Sequence, residues 1–413
     1  YFSHMINLSL NKKVLLFGFI FTFFSSFGQS FFLGLFNPSI RNELNITHGQ
    51  FGTIYAGATI CSSLLLIWFG KKIDDIRLFS YSLIVVAILF FSSLFFSFIN
   101  SIYLLIIAIF LMRFSGQGLM SHTSTTTVSR YFNKRRGRAL SGIWFGLSSA
   151  EFILPLLIVF LLTIFSWRTI WQFISIIIFV TLPIIIFYTI KNITIDSREG
   201  AILSKDNEDL KHVKNWRRSE VLKDFKFYII SLNMLAMPWI VTGVFIYQSF
   251  IAESKNWGSY IIPQSFMIYS ITSILTLISS GFLVDKFTSR RLIPYMNLPL
   301  LFGLLILFFF DYSYSAYLFF GLMGVSNGLA NVLGSSTWAE IYGVRHIGSI
   351  KALTTAFMVF STAFGTALFG LFIDRGFTIE YIALISILYI SISLSILLII
   401  KNSIEPLYFR KKT

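Results

Sequence analysis

Two ionisable residues sit where ionisable residues are expensive. Arg113 and Glu151 each fall inside a long apolar run of the 413-residue chain, and a charged side chain at membrane depth is rarely idle. Arg113 lies about 11 residues from one end of its run, or ~17 Å at helical rise. Glu151 lies about 12 residues from the opposite end of the next run, or ~18 Å. The two depths nearly coincide, and the sequence predicts that the side chains pair. Arginine takes a carboxylate through two parallel hydrogen bonds, which makes Arg113 the candidate anchor for an anionic substrate. Glu151 is the candidate proton carrier. Capture of Arg113 by substrate would release Glu151 to take a proton. The competing reading is a fixed pair joining two helices, but desolvation offsets much of the attraction in a buried pair, and that favours a working role.

Helical spacing surrounds the pair with polar faces. Arg113, Gln117 and Ser121 recur at intervals of four, as do Trp144 and Ser148, with Glu151 three further on. Later in the chain Asn327, Asn331 and Ser335 recur at intervals of four, with Trp338 three further on. Gln29 adds an amide to the first run, Pro238-Trp239 marks a bend, and Tyr247 and Gln248 follow two turns on. The expected substrate-binding set is Gln29, Arg113, Gln117, Trp144, Trp239, Tyr247, Asn327 and Asn331.

The elements that position these residues follow from composition. Hydrophobic residues make up 55% of the chain and charged residues 12%, more apolar surface than a soluble domain of this length can bury. Twelve apolar runs of membrane-crossing length are predicted at about 14–36, 48–69, 78–98, 102–123, 139–162, 169–190, 226–250, 262–284, 292–310, 313–335, 350–373 and 379–400. The expected fold is therefore all-α and membrane-embedded, with halves at 1–190 and 226–413 joined by a hydrophilic linker at 191–225. With the N-terminus inside, 28 of the 33 Lys and Arg residues fall in inward segments and four in outward ones, leaving Arg113 alone within a span. That asymmetry predicts both termini in the cytoplasm. It also accounts for the net charge of +15 without nucleic acid. The single cysteine, Cys61, allows no disulfide framework.

The chain repeats itself. Gly70-Lys71-Lys72-Ile73-Asp74 returns 211 residues later as Gly281-Phe282-Leu283-Val284-Asp285, and each copy lies between apolar runs. Arg77 follows the first copy; Lys286, Arg290 and Arg291 follow the second. Two six-helix halves, a central loop and this G-x-x-x-D motif after the second and eighth runs resemble the major facilitator superfamily over the whole chain. The resemblance implies two six-helix repeats with helices one, four, seven and ten lining a cavity, where the polar faces above converge. It also implies that Gly70, Asp74, Arg77, Gly281, Asp285, Lys286, Arg290 and Arg291 serve gating. Asp75 stands where the family usually carries Arg or Lys. Arg113-Phe114-Ser115-Gly116-Gln117-Gly118 is similar to the superfamily's arginine motif. Arg130 to Ala139 looks like the loop of the monocarboxylate and oxalate–formate branch. His122, in a run of hydroxyl residues, is a further gating candidate.

The expected function is a secondary transporter of a small carboxylate-type anion, working by alternating access with proton coupling, as a monomer in the cell (inner) membrane. No enzyme chemistry, cofactor or metal is expected; the partners are the small-molecule substrate and the bilayer. The alternatives are transport of nitrate, a neutral metabolite or copper, the last through Met234, Met237, Met267 and Cys61, and a non-transporting receptor.

Overall fold

The computed structural model describes residues 2–132, 136–191, 215–343 and 346–404; among these the fold is all-helical, with twelve helices long and apolar enough to cross a membrane. It divides into two compact units. Unit 1 is Tyr1–Ala201 with Phe245–Ser249, and unit 2 is Ile202–Val244 with Phe250–Thr413. Unit 1 holds span 1 (Lys12–Leu44), span 2 (His48–Ile73), span 3 (Leu78–Phe96), span 4 (Ile102–Tyr131), span 5 (Ala139–Leu162) and span 6 (Trp167–Ile190). Unit 2 holds span 7 (Phe225–Ile246) up to Val244, span 8 (Ile261–Val284), span 9 (Ser289–Phe309), span 10 (Ser313–Tyr342), span 11 (Ile350–Asp374) and span 12 (Ile379–Lys401). Of the expected linker, residues 192–214 lie outside the described residues.

Polar residues between the apolar runs start the helices. Thr47 caps span 2 in a reciprocal box with Gln50, which satisfies two otherwise orphaned donors. Ser101, Ser166 and Asp224 accept backbone N–H groups at the starts of spans 4, 6 and 7. Within unit 1, span 1 is the central post. Gly146 of span 5 lies so close to it that a Cβ there would collide with the Phe19 carbonyl and the Thr22 hydroxyl. Thr22 also donates to the Ile143 carbonyl, and Ser124 of span 4 donates to the Gly18 carbonyl at 2.8 Å. Small residues thus let backbones meet where no hydrophobic force drives helices together in lipid.

Each unit fastens three of its interhelical ends around one cation. In unit 1, Arg168 at the start of span 6 donates to the carbonyls of Ser97 (2.8 Å) and Ile99 (2.6 Å) beyond span 3, and pairs with Glu43 at the end of span 1. Trp167 Nε1 donates to the same carboxylate at 2.8 Å. In unit 2 the polarity is exchanged. Lys255 supplies the cation from the segment before span 8 and reaches Asp311 at 2.6 Å and Glu380 at 2.8 Å. Trp257 Nε1 donates to the Asp311 carbonyl at 2.7 Å. The Lys255 side chain is 0% exposed, so removing either carboxylate would leave a buried cation less well compensated.

Gly142 and Gly146 stand one turn apart on span 5, but a Cβ at Gly142 would meet nothing within 4 Å. Gly146→Ala should cost about 1–3 kcal/mol through overpacking, whereas Gly142→Ala should be neutral or gain up to ~1 kcal/mol of helix propensity. Thermal unfolding of the two purified variants distinguishes them; equal melting temperatures would refute the crossing.

Candidate functional site

Two irregular helices face each other inside unit 1. Span 1 tightens into a 3-10 turn at Ser26–Gly28, goes extended at Gln29 (φ −83, ψ 155) and resumes at Ser30. Span 4 widens into π-helix over Arg113–Met120. Interruptions of this kind concentrate at functional sites. They meet at Gly28 and Gly116. A Cβ on Gly116 would lie 2.6 Å from the Gly28 nitrogen, and one on Gly28 would lie 2.5 Å from the Gln117 nitrogen. Only glycine on both sides permits the approach, and it brings the Gly28 carbonyl to the Arg113 side chain.

Arg113 is 2% exposed. Its Nη1 donates to the Gly28 carbonyl at 2.9 Å and its Nε to Thr59 Oγ1 at 3.1 Å. The guanidinium carbon stands 4.9 Å from the centroid of the Tyr55 ring, a cation–π contact. Tyr55 and Thr59 are one turn apart on span 2. The guanidinium also lies within reach of the Tyr55 hydroxyl. That buried hydroxyl is also near Ser30, and it completes no hydrogen bond of normal geometry. Arginine is therefore held by neutral partners, the Gly28 carbonyl, Thr59 and Tyr55, with no carboxylate against it among the described residues.

The expected pair of Arg113 with Glu151 does not form. Glu151 is 7% exposed, and among the described residues it has neither an ion pair nor a hydrogen bond. Equal depth sets the height of two side chains but not the direction each faces. Span 4 turns Arg113 toward spans 1 and 2, where neutral oxygens and an aromatic face receive it. Unit 1 thus carries an arginine with neutral partners and a separate buried carboxyl group without any.

Gln29 and Gln117 flank the glycine crossing, both half-buried and with side chains free of hydrogen bonds among the described residues. Trp144 is half-buried on span 5. Tyr247 belongs to the segment grouped with unit 1 and donates to the His48 carbonyl at 3.0 Å. The remaining expected residues lie in unit 2. Asn327 donates to Ser273 Oγ at 2.8 Å, and Asn331 is exposed. Trp239 is buried edge-on to Tyr389 at 5.3 Å. At the repeat offset, Tyr55 corresponds to Phe266 and Arg113 to Met323 or Gly324. Gly324 abuts the Tyr269 carbonyl and Thr272 of span 8, so unit 2 fills with a helix crossing the place where unit 1 holds its charge. Tyr55, Thr59 and the Gly28 carbonyl were not expected from the sequence. Their signal is local: a tyrosine and threonine at i, i+4, and two glycines in the first and fourth apolar runs.

The repeated motif is held differently in the two units. Asp74 pairs with Arg130 at the end of span 4 rather than with Arg77, which is exposed. His122 Nε2 lies 3.1 Å from the Gly70 carbonyl. Asp75 pairs with the exposed Lys72 at 3.7 Å. In unit 2, Glu340 at the end of span 10 accepts the backbone N–H groups of Ser289 (2.9 Å) and Arg290 (3.0 Å). Lys286 is exposed beside the Phe287 ring. A Cβ on Gly281 would meet nothing within 4 Å, and the side chain of Asp285 lies outside the described residues.

The family model of the Major Facilitator Superfamily matches residues 18–366. No curated protein matches the chain by sequence. Among solved structures, a bacterial homolog of the human lysosomal transporter Spinster, inward-facing and unoccupied, superposes with TM-score 0.69 at 12% identity, over 96% of this chain and 98% of that one. A point mutant of the nucleoside transporter NupG gives 0.67 at 13%, over 94% and 99%. A POT family transporter in complex with a thioalcohol-conjugated peptide gives 0.68 at 15%, over 95% and 96%.

Because Arg113 and Glu151 are unpaired, their contributions should add. The unfolding cost of Arg113→Ala/Glu151→Ala in detergent should equal the sum of the single costs within ~0.5 kcal/mol. Arg113→Ala and Thr59→Ala, which remove the two ends of one hydrogen bond, should instead couple by about 0.5–3 kcal/mol. Strong coupling in the first cycle would show that the two charges do meet.

Proposed function

The chain belongs to the major facilitator superfamily and is a membrane transporter of that type; from this premise we propose that it moves a small organic anion, with a proton, by alternating access. The observation that carries the reading is a buried Arg113 whose partners among the described residues are all neutral. A buried guanidinium held by Gly28 and Thr59 is oriented before any ligand arrives, and preorganisation lowers the cost of binding. Such a guanidinium suits one carboxylate oxygen or a bridging pair with the Tyr55 hydroxyl. Gln29 and Gln117, beside the same crossing, supply neutral hydrogen bonds to the rest of a small molecule. The apolar counterpart in unit 2, with Phe266 in place of Tyr55 and Met323 or Gly324 in place of Arg113, favours one anionic group over two.

Glu151 is the proposed proton carrier. An unpartnered charge out of water costs several kcal/mol, so gain or loss of a proton there changes the energy of each access state substantially. Separation from Arg113 alters the coupling scheme. Substrate does not free Glu151 by competing for its partner; the two groups are linked only through the conformations in which each is reachable. The proposal extends to the inner membrane, cytoplasmic termini, a monomer, the monocarboxylate and oxalate–formate branch, and gating by the two motif loops, with Asp74–Arg130 and Glu340 as their fastenings and His122 at Gly70.

Two variants test the reading in proteoliposomes. Arg113→Lys keeps the charge but cannot replace the planar guanidinium that holds Gly28 and Thr59. Uptake at low substrate should fall about ten- to a hundredfold, the worth of a charge-assisted hydrogen bond. Unchanged uptake would remove Arg113 from the anion site. Glu151→Gln should abolish accumulation driven by an imposed pH gradient and spare downhill exchange, which needs no net proton movement. Gradient-driven uptake equal to wild type would leave Glu151 without a coupling role.

A further inference from the structure

The residues that lead into span 7 form a small two-faced element of unit 2. One face is fastened to the end of span 10. The Trp216 N–H donates to the Tyr342 carbonyl at 3.0 Å, and the two rings meet edge-on at 5.5 Å. The Tyr342 hydroxyl returns a hydrogen bond to Asp224 at 3.1 Å. Gly343 has φ +79, and a Cβ on it would lie 2.5 Å from Asn215 Oδ1. Val221 is fully buried in the cluster containing Phe227, Trp338 and Tyr342, with Trp216 against it. Both acids of the segment are engaged with the protein: Asp224 with Tyr342 and the Lys226 N–H, Glu220 with the Arg217 N–H.

The other face presents what remains. Arg217, Arg218 and Lys223 are exposed. So are Leu222, Phe225 at 57% and Tyr228 at 46%, with the Tyr228 hydroxyl tied to the Leu222 carbonyl at 2.8 Å. Span 7 begins at Phe225, which pins this face at the membrane surface. Basic side chains interleaved with aliphatic and aromatic ones at that level match an interfacial lipid contact, with apolar groups in the acyl boundary and cations at the phosphates.

We propose that residues 215–228 are a docking site for anionic phospholipid headgroups, which hold the segment against span 10. The consequence reaches the repeated motif loop. The last two turns of span 10 carry both Tyr342 and Glu340, and Glu340 accepts the N–H groups of Ser289 and Arg290 at the head of span 9. Lipid on the outer face of the segment therefore steadies the loop between spans 8 and 9 through one helix end.

The test uses the full chain in nanodiscs of phosphatidylcholine, with and without phosphatidylglycerol, read by hydrogen–deuterium exchange. The Trp216, Ser289 and Arg290 amides are the reporters, since each is a donor in the chain of contacts above. Phosphatidylglycerol should slow their exchange in the wild type. Arg217→Gln/Arg218→Gln/Lys223→Gln should remove that response, with headgroup retention in native mass spectrometry falling about fivefold per charge. Lys71→Gln/Lys72→Gln, which alters basic residues elsewhere on the surface, should keep it. Trp216→Ala should keep the lipid and lose the slowed exchange at Ser289 and Arg290. The proposal is overturned if the wild type exchanges equally in both lipids, if the triple variant responds like wild type, or if the Lys71/Lys72 variant loses the response too.

Discussion

The architecture of unit 1 depends on one close approach of two backbones. Gly28 and Gly116 meet where span 1 has lost its regular turn and span 4 has loosened its own. Each irregularity leaves main-chain groups without their usual helical partners, which is intolerable in lipid unless something else receives them. Arg113 is what receives the Gly28 carbonyl. The arginine, in turn, could not be buried without that carbonyl, Thr59 and the Tyr55 face. The site and the fold are thus one solution: a tight crossing stabilised by a charge, and a charge made bearable by the crossing.

The two repeats share a scaffold and differ in where they keep charge. Unit 1 places an arginine at the centre; unit 2 has Met323 or Gly324 there and packs span 10 on span 8. The ends of spans 4 and 10 carry Arg130 and Glu340, opposite in sign at nearly equivalent positions, and each fastens the adjacent copy of the G-x-x-x-D loop by its own means. A copied backbone evidently constrains where a polar fastening must lie, because helix ends need partners there. It does not constrain which side supplies the cation.

Much of this was legible in the residues. The apolar runs, the repeat and the two copies of the motif gave twelve spans, because hydropathy and length are one-dimensional properties. The burial of Arg113 and Glu151 was legible for the same reason. Their relation to each other was not. Sequence spacing fixes height along a helix, whereas pairing depends on rotation about it, and the π-helical stretch at Arg113–Met120 alters that rotation. The three partners of Arg113 were hidden for a related reason: a backbone carbonyl carries no sequence signal, and Tyr55 and Thr59 are ordinary residues of a helix interior until the arginine arrives. Trp239 shows the reverse case, since an indole beside a proline reads equally well as a cavity wall and as the packed core residue it forms with Tyr389.

The exchanged polarity of the two end fastenings makes the halves poor donors of parts to each other. In unit 1 the cation comes from the third of the joined segments and the acid from the first; in unit 2 the cation comes from the first and acids from the other two. A chimera that moved the Lys255 segment into the equivalent place in unit 1 would set lysine opposite Arg168 and remove Glu43. The reciprocal graft would gather three carboxylates with no cation. Recombination between the halves is therefore penalised at their rims even where the helices themselves are interchangeable, and each half is free to drift only in company with its own counter-charges.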